Sequence, residues 1–158
     1  MKIPRTQSGV TLLELMIGLA VVAILGSLAA PSFREMLLSS QITTATNNFI
    51  TAMAFARSEA VKRALIIRVD AIGGNWDNGW QVINDNDNSI IRTFDAPANT
   101  VDVAGVPAVA SLRFDGRGLL LGEAAGVVMS VCHSGMRGRQ ISLSATGRPQ
   151  LDREYVCP

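Results

Sequence analysis

The sequence predicts an α+β fold, a long helix followed by an antiparallel β-sheet, from three observations. Val10 to Ala30 is almost wholly apolar. Ile42 to Ala60 places apolar residues at steps of three and four. After Arg63 the period drops to two, and turn residues separate short β-rich runs. The 158 residues suffice for one core with an appendage, not for two domains. Hydrophobic residues make up 48 % and charged residues 17 %, against about 25 % charged in an ordinary soluble domain. That composition excludes disorder or coiled coil for the chain as a whole. The net charge is +1, so nucleic-acid contact would need a local patch rather than an overall basic field.

Lys2 and Arg5 precede Gln7-Ser8-Gly9, and the apolar run that follows carries one charge, Glu14. At about 1.5 Å per helical residue, the run reaches roughly the 30 Å of a bilayer core. Basic residues on the N-terminal flank alone place the N-terminus in the cytoplasm and the rest of the chain outside it. Two ordinary alternatives are a secretory signal peptide, cleaved near Ser27-Leu28-Ala29, and a simple membrane anchor. Glu14 argues against both, because an ionised acid in a lipid-facing helix costs about 3 kcal/mol on insertion scales and calls for a cationic partner.

Ser8-Gly9-Val10-Thr11-Leu12-Leu13-Glu14-Leu15-Met16 resembles the class III leader junction of type IV pilins and type II secretion pseudopilins. The resemblance implies that residues 1–9 are a leader, cut after Gly9 by a prepilin peptidase, and that Val10 is then N-methylated. Residues 10–33 become a transmembrane and assembly segment, and residues 34–158 a periplasmic domain held at the inner membrane. Partners are other pilins or pseudopilins, met through the helix. The resemblance also supplies the missing cation, since the new amine at Val10 of one subunit would neutralise Glu14 of its neighbour. Most family members have Phe where this chain has Val10, but the peptidase depends chiefly on the glycine.

Pro31 is expected to bend the helix rather than end it. Beyond it Ile42, Ala45, Phe49, Met53, Ala56 and Ala60 form one apolar stripe, with Gln41, Thr44, Asn47, Asn48 and Arg57 off it and Glu59/Arg63 as an i,i+4 pair. An amphipathic helix over about 34–63 follows, packed on the sheet. In the β-rich part, 64–158, the predicted strands are Leu65–Val69, Trp80–Ile83, Ile90–Phe94, Ser111–Phe114, Leu119–Leu121, Val127–Cys132 and Arg139–Leu143. Gly73-Gly74-Asn75, Asn84 to Asn88, Asp115-Gly116 and Gly147-Arg148-Pro149 separate them.

Phe55-Ala56-Arg57-Ser58-Glu59-Ala60, Gly79-Trp80-Gln81-Val82, Phe114-Asp115-Gly116-Arg117-Gly118 and Ala145-Thr146-Gly147-Arg148-Pro149 resemble the GspH/FimT class of minor pilins and pseudopilins. Members of that class prime or cap secretion pseudopili, prime type IV pili, or bind DNA during natural transformation. The resemblance implies a filament subunit without enzymatic activity or cofactor, in a pilus or in a secretion pseudopilus.

Cys132 and Cys157 are the two cysteines, both in the exported part, and a disulfide between them is expected; with one histidine and no Cys-x-x-Cys, a zinc site lacks ligands. Asn84-Asp85-Asn86-Asp87-Asn88 alternates oxygen ligands but lacks the glycine and distal glutamate of a calcium loop, and reads as a hairpin turn. Cys132-His133-Ser134 offers no nucleophile–base pair, because neighbours on a strand face opposite ways. Trp80 reads as core, and Trp76 as either core or stacking platform. Between Glu123 and Asp152 there is no acid, while Arg137, Arg139 and Arg148 fall there beside glycines. They could track a phosphate backbone, giving weak, salt-sensitive DNA binding without sequence preference. DNA-binding members of the class carry a terminal Gly-Arg-x-Arg; here Gly147-Arg148-Pro149-Gln150 keeps the first half. DNA capture at a pilus tip is thus the alternative to assembly alone.

Overall fold

The computed structural model describes residues 9, 11–122 and 126–157, the side chains at 28 and 29 excepted. Helix α1 runs over Leu12–Arg63 with Pro31 inside it, so the proline does not stop the helix. Its start is capped by Thr11, whose Oγ1 accepts the Glu14 N–H at 3.2 Å. Its end is closed by two reversed bonds, Leu65 N–H to the Ala60 carbonyl and Ala64 N–H to the Val61 carbonyl. Ala64 takes the left-handed conformation, φ 52°, that this closure demands. Lys62 and Arg63 in the last turn complement the helix dipole. The chain divides into two units, Met1–Leu37 and Leu38–Pro158.

The second unit holds nine described strands: β1 Ile67–Ala71, β2 Trp80–Asn84, β3 Ile90–Phe94, β4 Asp102–Val106, β5 Ser111–Phe114, β6 Leu120–Leu121, β7 Val128–Cys132, β8 Arg139–Leu143 and β9 Pro149–Asp152. They form two antiparallel sheets, ordered β3-β2-β1-β5-β6 and β4-β7-β8-β9. The sequence pattern anticipated neither β4 nor β9, and expected one sheet. Ala104 and Gly105 dilute the alternation of β4, and β9 begins at a proline, which is tolerated there because β9 is an edge strand. β1 starts two residues later than Leu65 because Leu65 is spent on the helix end.

One core joins these elements. Ile42, Ala45, Phe49, Met53, Ala56 and Ala60 of α1 are all buried, against Val69, Trp80, Leu112 and Phe114 of the first sheet and Met129, Val131, Ile141 and Leu143 of the second. Phe49 sits edge-on to both tryptophans, with ring centroids 5.5 Å apart in each case. Trp76 is buried and donates to the Val109 carbonyl at 2.7 Å, which places both tryptophans in the core rather than at a ligand platform.

The acidic β2–β3 turn holds an arginine. Arg68 donates to Asp70 at 2.6 Å, to Asp85 at 2.8 Å and to Asn88 at 2.8 Å, and Arg113 grips both Asp85 oxygens. The Arg113 and Arg68 hydrogen bonds hold the Asp85 carboxyl below the usual carboxylate range. A depressed folded-state pKa contributes stability above the unfolded value, and that stability is lost as pH falls through the folded one. The hairpin is therefore expected to loosen below about pH 4. Amide protection over residues 83–90, taken relative to the intrinsic exchange rate at each pH, should fall there in the wild type; an Asp85→Asn variant should show the low protection already at neutral pH, and equal protection in both proteins would discard the linkage.

Candidate functional site

Three groups of residues bear on function, and the first is the apolar start of α1. Thirteen large apolar side chains between Leu12 and Leu37 are exposed, from Leu37 at 48 % to Leu12 at 79 %. Each such side chain left in water forgoes about 1.5–3 kcal/mol, a sum of tens of kcal/mol that only lipid or other helices can recover. The helix is apolar and long enough to cross a membrane, and none of that span is buried in the protein. Glu14 lies in the first turn, where the helix dipole favours an anion. Among the described residues it has no ion-pair partner. Gly9 is exposed, and a Cβ there would meet nothing within 4 Å. Val10 lies outside the described residues, as do Lys2 and Arg5.

The second group pins the C-terminal segment. Cys132, the last residue of β7, is bonded to Cys157, with Cα atoms 5.7 Å apart. The Gly138 N–H donates to the Tyr155 carbonyl at 2.9 Å, and Arg137 bridges Val156 in antiparallel fashion. The His133 ring meets the Thr100 carbonyl, so the Cys132-His133-Ser134 run is engaged structurally.

The three arginines expected to act together are not brought together. Arg137 is paired with Glu154. Arg139 opens β8 facing α1, donating to the Thr43 hydroxyl at 3.4 Å and to the Arg153 carbonyl at 3.2 Å. Arg148 precedes Pro149, the register partner of Leu143 at the other end of β8, which puts the length of the strand, about 14 Å, between it and Arg139. Among the described residues Arg148 is exposed and has no ion pair. Separation follows from strand length, a quantity that sequence density does not carry.

A third arrangement was not anticipated. The segments that hold Arg57, Gly116, Gly118 and Gly147 converge at the end of α1. Arg57 Nε donates to the Gly118 carbonyl at 3.0 Å. Gly116 is a glycine because the backbone of Ala64 passes 3.0 Å from where its Cβ would be. Gly147, at φ 70°, has Phe114 Cε1 2.9 Å and the Gly118 oxygen 3.0 Å from the same point. Asp115 Oδ1 accepts the N–H groups of Arg117 and Leu119, both at 2.9 Å, and the Leu119 bond chiefly lowers its pKa. Beside this junction lies an open groove of about 580 Å³, bounded by Ala54, Arg57, Val61 and Lys62 of α1 and by Gly147 and Pro149 of the β8–β9 turn. The glycines themselves were the available signal: at Gly116, Gly118 and Gly147 a Cβ would come within 3.0 Å of a neighbouring segment.

Residues 45–147 match the family described as type II transport protein GspH, and residues 4–30 match the prokaryotic N-terminal methylation motif. Among solved structures, the type IV minor pilin FimU of Pseudomonas aeruginosa is similar in two crystal forms. One is 26 % identical, covers 72 % of this chain and 90 % of that chain, and has a TM-score of 0.64. The other is 27 % identical, covers 70 % and 91 %, and has a TM-score of 0.61. No curated protein matches the chain.

Proposed function

The chain belongs to the family of the type II transport protein GspH, and on that premise we propose that it is a minor pilin or pseudopilin whose apolar helix anchors it in a membrane and then joins a filament. The observation that carries this reading is the contrast within α1. From Ile42 to Ala60 the apolar face is spent on the domain's own core, whereas the thirteen large apolar side chains counted above between Leu12 and Leu37 are unspent. A helix of that kind is equally at home in lipid and among other such helices, so moving from one to the other costs little hydrophobic energy.

Glu14 gives the transfer its direction. In lipid its charge costs up to about 3 kcal/mol, and an amine at the start of a neighbouring helix would recover that cost. The methylation-motif match over residues 4–30 supports cutting after Gly9 by a prepilin peptidase, which would create such an amine at Val10. Basic Lys2 and Arg5 support a cytoplasmic N-terminus, and the Cys132–Cys157 bond suits a periplasmic domain at the inner membrane. The filament is a type IV pilus or a type II secretion pseudopilus. Geometry favours assembly over DNA capture, because Arg137 is paired with Glu154 and Arg148 stands at the far end of β8.

Glu14→Ala is expected to leave membrane insertion intact while reducing incorporation into filaments about tenfold or more, the factor that about 1.4 kcal/mol represents. Quantifying the variant in sheared filaments against the membrane fraction checks this. Wild-type incorporation would show that Glu14 does not direct assembly.

A further inference from the structure

The groove at the end of α1 has an apolar floor and basic walls. Val61 is 52 % exposed, and with Ala54 and Pro149 it forms the apolar part. Lys62 stands 75 % exposed, held only by a 3.8 Å contact to Glu59. The Arg57 guanidinium is fixed by its Nε bond to Gly118, which leaves its terminal nitrogens for another acceptor. Arg148 is exposed between the lining residues Gly147 and Pro149. No carboxylate lines the groove among the described residues. Glu59 is buried and bonded to Arg63 at 2.6 Å, and Asp115 is occupied by backbone N–H groups and Arg117. The volume of about 580 Å³ falls in the range, about 300–1,000 Å³, of sites that enclose a small ligand or a few side chains.

We infer that this groove is a docking site for an acidic segment, carrying at least one apolar side chain, of a neighbouring filament subunit. Charge complementarity selects the acid, with Lys62 and Arg57 lining the groove, Arg148 exposed on the turn between two lining residues, and no carboxylate among the lining residues. The floor selects a polypeptide over a duplex. A phosphate backbone gains nothing from Val61 and Pro149, and three cations release few counterions, about 0.9 per phosphate neutralised. The inference rests on the assembly reading, because a filament supplies such a segment at high local concentration.

The test uses the full-length chain in cells that assemble the filament, with a photo-crosslinking residue at the groove floor, Val61→p-benzoylphenylalanine. The expected result is a crosslink, mapped by mass spectrometry, to a segment of another filament subunit that contains acidic residues. Adding Lys62→Glu and Arg148→Glu should lower its yield about tenfold, as reversal of two exposed charge contacts would, with the Cys132–Cys157 bond still formed. A crosslink to DNA, to lipid or to an uncharged or basic segment overturns the inference, as does a yield insensitive to charge reversal. Filaments that contain the chain without any crosslink remove the groove and leave assembly standing; absence of the wild-type chain from filaments removes both.

Discussion

Gly9→Val is expected to abolish maturation while leaving the fold untouched. Intact-mass measurement of the membrane-extracted variant should give all 158 residues without a methyl group, where the wild type should give a chain beginning at methylated Val10. Gly9 is exposed, and a Cβ would meet nothing within 4 Å among the described residues, so packing does not call for a glycine there. The contrast with Gly147 is direct, since there a side chain would strike Phe114 and the conformation is left-handed. A glycine that the structure does not need, at the head of a methylation motif, points to a reader outside the chain. Gly9→Val should therefore keep the Cys132–Cys157 bond and the wild-type melting temperature, and fail only in processing and filament entry. A variant chain starting at Val10 would show that the peptidase does not read Gly9. A wild-type chain starting at Ala30 would mean a secretory signal peptide and would end the filament reading.

Legibility in the sequence followed the range of the interaction. The stripe from Ile42 to Ala60 was legible because a 3.6-residue period is local, and all six of its residues are in the core. The exposed start of α1 was legible from length and composition alone. Strands with clear alternation, such as β5 with Leu112 and Phe114 turned inward, were found near their observed limits. β4 escaped because Ala104 and Gly105 supply little β propensity, and it lies beside β7, a strand more than twenty residues later in the chain. The division into two sheets is a matter of such non-local pairing, which no window of sequence contains. The groove is of the same kind, since Arg57 meets Gly118 across 61 residues. The arginines show the opposite error. Their density in sequence suggested a patch, yet Arg139 at the start of a predicted strand and Arg148 beyond its end already implied a strand's length between them.

Gly138→Ala is expected to cost the exported domain about 3–4 kcal/mol, roughly the whole value of closing the Cys132–Cys157 loop in the chain-entropy model. The reason is steric rather than conformational, because the φ of Gly138 is not left-handed. A Cβ at this buried position would lie 2.4 Å from Cys157 Sγ, 2.9 Å from Cys132 Sγ and 2.7 Å from the Val131 carbonyl. None of these can move alone. The two sulfurs are bonded to each other, and Val131 is held in the ladder between β4 and β8. The weakest of the surroundings is the C-terminal segment, tied down by the disulfide, the Gly138–Tyr155 bond and the Arg137–Val156 bridge. It should come away, leaving two titratable thiols and a melting temperature lower by about 10 °C. Combined with Cys132→Ala and Cys157→Ala, Gly138→Ala should cost less, because the two sulfurs it strikes are gone and only the Val131 carbonyl remains in its way; this non-additivity separates the clash with the disulfide from the clash with the strand backbone. A Gly138→Ala protein with an intact bond and wild-type melting would show that the turn before β8 yields, and that the glycine is not what lets the chain end close.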